Sequence, residues 1–179
     1  MENKEEENIA FIDGQNLHMG TASENWQIDF KRFRIYLKDK FKIKRVYYFL
    51  WFLDENEQEL YTRLQESGFI LIFREHNSNM KWKKKGNVDV DICFEMMKNA
   101  CKNQDFDKII LISGDWDYIK VVKHLIEKKK FKRILFPNKK YSSLYNQLKT
   151  EYIMNLWDNR TKKLIAYKIN NKKRDVWKH

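Results

Sequence analysis

Four aspartates stand beside segments whose composition predicts burial. Asp13 follows Ile9-Ala10-Phe11-Ile12, and Asp115 and Asp117 follow Ile109-Ile110-Leu111-Ile112-Ser113-Gly114. Asp89 lies in Gly86-Asn87-Val88-Asp89-Val90, where a helical pattern begins. Carboxylates placed just beyond buried strands repel one another and desolvate badly, so stability alone disfavours them. A divalent cation seated between them removes that objection. The other side chains narrow the choice. His18, His76, His124 and His179 have no metal-ligand spacing, and Cys93 and Cys101 form no zinc pattern. Neither a Walker-type phosphate loop nor a GxGxxG fingerprint occurs. Serine–histidine hydrolase spacing is not evident. An all-oxygen site suited to Mg2+ or Mn2+ remains.

The helix carrying Asp89 separates site acids from surface acids. At 100° per residue, Val88, Ile92, Cys93, Met96 and Ala100 share one apolar face, and Asp89 falls in its middle. Asp91, Glu95, Lys98 and Lys102 gather on the opposite side, where Glu95 can pair with Lys98 at i+3. Asp89 therefore reads as functional, and Asp91 and Glu95 as a solvated face. Asp13 or Asn16 could also cap a helix after the first strand, and Asp117 is the better-placed cap of the helix after Gly114. Ser113 could bind a phosphate or simply end its strand.

Strand-like runs at 8–13, 45–52, 69–75, 108–113 and 132–137 must position these residues. Helical patterns lie between them at about 29–40, 55–67, 88–103 and 117–130, with a shorter one at 142–150. That alternation predicts an α/β fold with a parallel sheet covered on both faces. In open parallel sheets functional groups collect beyond the carboxyl ends of the strands, which is where Asp13, Asp115 and Asp117 fall. Gly14, Gly86 and Gly114 each lie within three residues of a candidate acid, where close turns need backbone freedom.

Composition bounds the setting. A chain of 179 residues with 42% hydrophobic and 15% aromatic content predicts one globular domain. No run approaches the ~20 apolar residues needed to span a bilayer, so no membrane association is expected. The acidic start Glu5-Glu6-Glu7 is no secretory signal. Cys93 and Cys101 lie about 12 Å apart along one helix, too far for a disulfide. Together these predict a cytoplasmic protein. The net charge of +11 concentrates in residues 160–179 and in Lys81-Trp82-Lys83-Lys84-Lys85. A polyanion, most commonly nucleic acid, is the partner such charge predicts. A homo-oligomer stays open.

Three segments together resemble the motifs of the NYN domain family, a branch of the PIN-like nucleases that includes LabA-like proteins. They are Phe11-Ile12-Asp13-Gly14-Gln15-Asn16-Leu17, Lys85-Gly86-Asn87-Val88-Asp89-Val90 and Leu111-Ile112-Ser113-Gly114-Asp115-Trp116-Asp117-Tyr118. The resemblance implies a Rossmann-like three-layer α/β/α sandwich with a central parallel sheet ordered 3-2-1-4-5. It also implies a metal-dependent ribonuclease site in which Asp13, Asp89, Asp115 and Asp117 hold Mg2+ or Mn2+ and Asn16 supports them. Trp116 stands where the family often has a small or polar residue, and it could offer a stacking surface.

The expectation is a domain over residues 8–158, with an acidic extension at 1–7 and a basic tail at 159–179. RNA, single-stranded or a structured loop, is its expected partner: Lys81, Lys83, Lys84 and Lys85 would attract the backbone, and Trp82 or Trp116 would stack on unpaired bases. Ser113 is a further candidate for substrate contact. An RNA-binding module of the same fold, without turnover, is the competing expectation. A phosphatase for small phosphoesters would leave the positive charge without a role.

Overall fold

Unbroken apolar runs belong to strands buried on both faces, and two such runs form the centre of this protein. A computed structural model describes residues 6–51, 53–74, 88–102 and 106–167. Within them, β1 (Asn8–Asp13), β2 (Ile43–Leu50), β3 (Ile70–Phe73), β4 (Ile109–Ile112), β5 (Phe131–Phe136) and β6 (Ile153–Asn155) form one sheet. Every neighbouring pair is parallel and the order is β3-β2-β1-β4-β5-β6. All residues of β1 and β4 are buried.

Alternation along β1 divides the core into two layers. Ala10 and Ile12 face Leu17 of α1 (Gly14–Ser23), Phe33 and Leu37 of α2 (Phe30–Phe41) and Leu64 of α3 (Gln58–Glu66). Ile9 and Phe11 face Ile92 and Met96 of α4 (Val88–Cys101) and Val122 and Leu125 of α5 (Ile119–Glu127). The result is the expected α/β/α sandwich. The chain runs outward from β1 to β2 and β3 on one side, then returns to lay β4 on the other. The connections leaving β1 and β4 therefore pass to opposite faces of the sheet, and these adjacent strands form its topological switch point.

Three elements differ from the sequence expectation. Helix α1 follows β1 directly, although its pattern is weak because its buried face uses Gly14, Leu17, Gly20 and Thr21. The short β6 extends the sheet beyond the five expected strands. The helical pattern at 142–150 forms 3-10 turns at Ser143–Gln147 and Thr150–Tyr152, because Leu148 between them is extended.

The basic residues after 158 also begin as ordered structure. Asp158 caps α6 (Asn159–Ile165), accepting from the N–H groups of Arg160 and Thr161. Ile165 is buried with α2, and Ala166 forms an antiparallel bridge with Ile28. At the other terminus Glu6 pairs with Lys108 and Lys132, and Glu7 with Lys44. Among the described residues no helix is long and apolar enough to cross a membrane.

Candidate metal centre

The first acid is placed by the β1–α1 junction. Asp13 is the last residue of β1, and its Oδ1 accepts the Asn16 N–H at 3.0 Å, capping α1. Gly14 permits the sharp turn. A Cβ there would lie 2.4 Å from the Tyr48 ring and 2.6 Å from the Phe49 carbonyl. Asn16 braces the neighbouring loop, its Oδ1 accepting from the Gly114 N–H at 2.8 Å.

The β4 loop supplies the next two. Ser113 is fully buried; its hydroxyl accepts the Asp115 N–H at 3.1 Å and lies 3.4 Å from Oδ2 of Asp13. It supports the acids from beneath, and its hydroxyl does not face outward as a substrate contact would require. Asp115 caps a 3-10 turn, Trp116–Tyr118, by accepting the Asp117 N–H at 3.2 Å. The cap is thus Asp115 and not Asp117, because a 3-10 turn precedes α5 where the sequence suggested α-helix from 117. The Tyr145 hydroxyl fixes the Asp115 carbonyl from the following 3-10 segment.

Asp89 comes from the first turn of α4. Carboxylate oxygens of Asp89, Asp115 and Asp117 lie within 4.8 Å of one another. At about 4 Å each like-charged pair costs roughly 1 kcal/mol in water and more where solvent is thin. No ion pair among the described residues engages Asp13, Asp115 or Asp117. The donor set is all oxygen, which fits a hard divalent cation such as Mg2+ or Mn2+.

Asp13 stands behind this triad and is only 7% exposed. Burial raises its pKa, the Asn16 N–H offsets part of that, and the charge of Asp89 raises it again. Between Asp13 and the triad lies Tyr118, whose buried hydroxyl contacts both Asp13 and Asp89. Burial, then the charge of Asp13, pushes this phenol well above its ordinary range. Burial also pushes the Cys93 thiol up to about 11, with Asp89 and Asp117 adding to the effect.

Of the residues read from the sequence, the structure brings together Asp13, Asn16, Asp89, Ser113, Asp115 and Asp117. Trp116, between two of the acids, is 59% exposed. Lys81, Trp82, Lys83, Lys84 and Lys85 lie outside the described residues. Asp91 approaches Arg74 at 3.9 Å, and Glu95 pairs with Lys98 at 2.8 Å, as a surface face should. Sequence reasoning missed Tyr118 and Tyr145 as site residues. Tyr118 left one signal: a polar-tipped ring directly after the last acid, where a buried tyrosine needs a partner.

Comparison with known proteins agrees with this architecture. The NYN domain profile matches residues 8–155. Low amplitude and bright protein LabA of Synechococcus elongatus is 23% identical over 124 residues, covering 64% of this chain and 65% of LabA. The chain thus matches just under two thirds of that relative's length. A crystal structure of a protein of unknown function from Vibrio parahaemolyticus shares the fold. It has a TM-score of 0.70 at 16% identity, and covers 92% of this chain and 99% of that one. With a PIN-like sheet order, an acidic cluster at its carboxyl end and a profile match over most of its length, this chain belongs to the NYN domain family.

Proposed function

We propose that the protein is a Mg2+- or Mn2+-dependent ribonuclease acting on single-stranded RNA at the carboxyl ends of β1 and β4. The observation that carries this reading is the convergence of Asp89, Asp115 and Asp117 within 4.8 Å, with no protein cation paired to Asp115 or Asp117 among the described residues. Asp89, Asp115 and Asp117 hold the cation, and Asp13 completes the acidic set. When bound, a divalent cation supplies Lewis-acid activation of water and offsets charge on the scissile phosphate. Asn16 and Ser113 keep the two acid-bearing loops in register through Gly114 and Asp115.

The chain's net charge of +11 draws the polyanionic substrate. Lys81, Lys83, Lys84 and Lys85 contact its backbone, and Trp116, with Trp82, offers a ring on which an unpaired base stacks. Both cysteines are unbridged, in keeping with a cytoplasmic setting.

The test is cleavage of labelled single-stranded RNA with Mn2+. Wild-type protein should cut, and Asp115→Asn should lower the rate about 100-fold or more. RNA binding by both proteins with no cleavage by either would replace this reading with an RNA-binding module of the same fold.

A further inference from the structure

Tyr118 enters the acid set from below, on the 3-10 turn that also carries Asp117. Its ring is fully buried in the layer shared with α4 and α5. Its hydroxyl lies 3.1 Å from Oδ2 of Asp13 and makes a shorter contact with Oδ1 of Asp89. A phenol carries one proton and can donate it to only one carboxylate at a time. Asp13 also accepts from the Asn16 N–H on Oδ1 and from the more distant Ser113 hydroxyl on Oδ2. The Tyr118 hydroxyl thus has two carboxylates within reach and one proton to give.

We propose that Tyr118 is a positioning residue that competes with the cation: its hydroxyl holds Asp89 in the metal-free protein and turns to Asp13 once Asp89 binds metal. The inference rests on the metal centre proposed above. A carboxylate bound to a cation is a poorer hydrogen-bond acceptor, and Asp13, already served by Asn16 and Ser113, gains less from the same hydroxyl. The hydroxyl therefore stabilises the metal-free state more than the loaded one. By linkage, removing it should tighten metal binding. This direction is diagnostic. Supporting partners that only orient a ligand act the other way, and their loss weakens metal affinity.

The experiment is a Mn2+ titration of the full chain, following free Mn2+ by electron paramagnetic resonance. Tyr118→Phe should bind Mn2+ roughly fivefold to tenfold more tightly than wild type, less than the full effect of one charge-assisted hydrogen bond because part of it is regained at Asp13. The same variant should melt at a lower temperature without metal and show a larger rise on adding it. Affinity that is unchanged or weaker overturns the competition, while wild-type binding that Asp89→Asn weakens leaves the metal centre standing. Wild-type protein that binds no Mn2+ overturns both. If Tyr118→Phe does not fold, the wild type decides by 13C NMR of the Tyr118 ring carbon bearing the hydroxyl. Saturating Mg2+ should move that resonance as the hydrogen bond changes partner, and a resonance that stays in place overturns the inference.

Discussion

The two ends of β1 lie five residues apart and treat polar groups in opposite ways. At the amino end, Asn8 is fully buried and fully engaged. Its amide donates to the Phe41 carbonyl at 2.7 Å and its Oδ1 accepts from the Lys108 N–H at 3.1 Å. The acids beside it, Glu6 and Glu7, meet lysines 44, 108 and 132. At the carboxyl end, acids face acids. Asp89, Asp115 and Asp117 crowd within 4.8 Å, and Asp13 is buried beside them. One end satisfies its charges within the chain. The other concentrates negative charge where a cation from outside can complete it.

The most severe way to break this contrast is to make the second end resemble the first. Asp117→Lys supplies an ammonium beside Asp89 and Asp115, as Lys132 stands beside Glu6. Mn2+ affinity, measured by calorimetry, should fall about 100-fold or more, with RNA cleavage lost in parallel. Next in size is Asn8→Ala, which strands a carbonyl and an N–H at the amino end. It should cost about 2 kcal/mol in denaturant unfolding and leave Mn2+ affinity unchanged.

A pH series sharpens the comparison further. The folded state holds the Asp13 proton more tightly than the unfolded chain, whose carboxyl has the ordinary value near 3.8. Between that value and the raised one, the folded protein binds more protons, so stability must fall as pH rises through this window. Asp13→Asn should flatten this fall in metal-free melting temperature relative to wild type as pH rises from the ordinary carboxylate value. An identical pH profile in the two proteins would show that Asp13 is not held against its charge. The smallest effect belongs to Glu6→Gln. Its pairs with Lys108 and Lys132 are partly exposed, so loss of stability should stay below about 1 kcal/mol and metal binding should not change.

Much of this arrangement was legible because it rests on strong local rules. Ile109–Ile112 reads as a doubly buried strand because it has no polar position, and it is one. Asp89 reads as a site residue because it interrupts an apolar helical face, and it points into the acid set. The cap of helix α1 was legible but its body was hidden, because small residues, not large apolar ones, make its close approach to the sheet and to Pro137 possible. Strand β6 was hidden because three half-buried residues at a sheet edge carry no periodic signal. Tyr118 was hidden for a different reason. Its ring behaves as core, and only the position of one oxygen between two carboxylates makes it part of the site. Such a role is set by tertiary geometry, which spacing along a chain does not encode.

The seat of α6 has a consequence for how the protein is made. Arg32, on α2, donates to the carbonyls of Lys163 and Ala166, and Tyr167 N–H reaches the Gln27 carbonyl. These bonds join residues more than 130 positions apart. During synthesis, α2 must therefore wait with its outer face uncovered until almost all of the described chain has left the ribosome. The acids need only the chain through Tyr145 to be in place. The acid set can assemble first, and the contacts of α6 with α2 close last, as a slow long-range step.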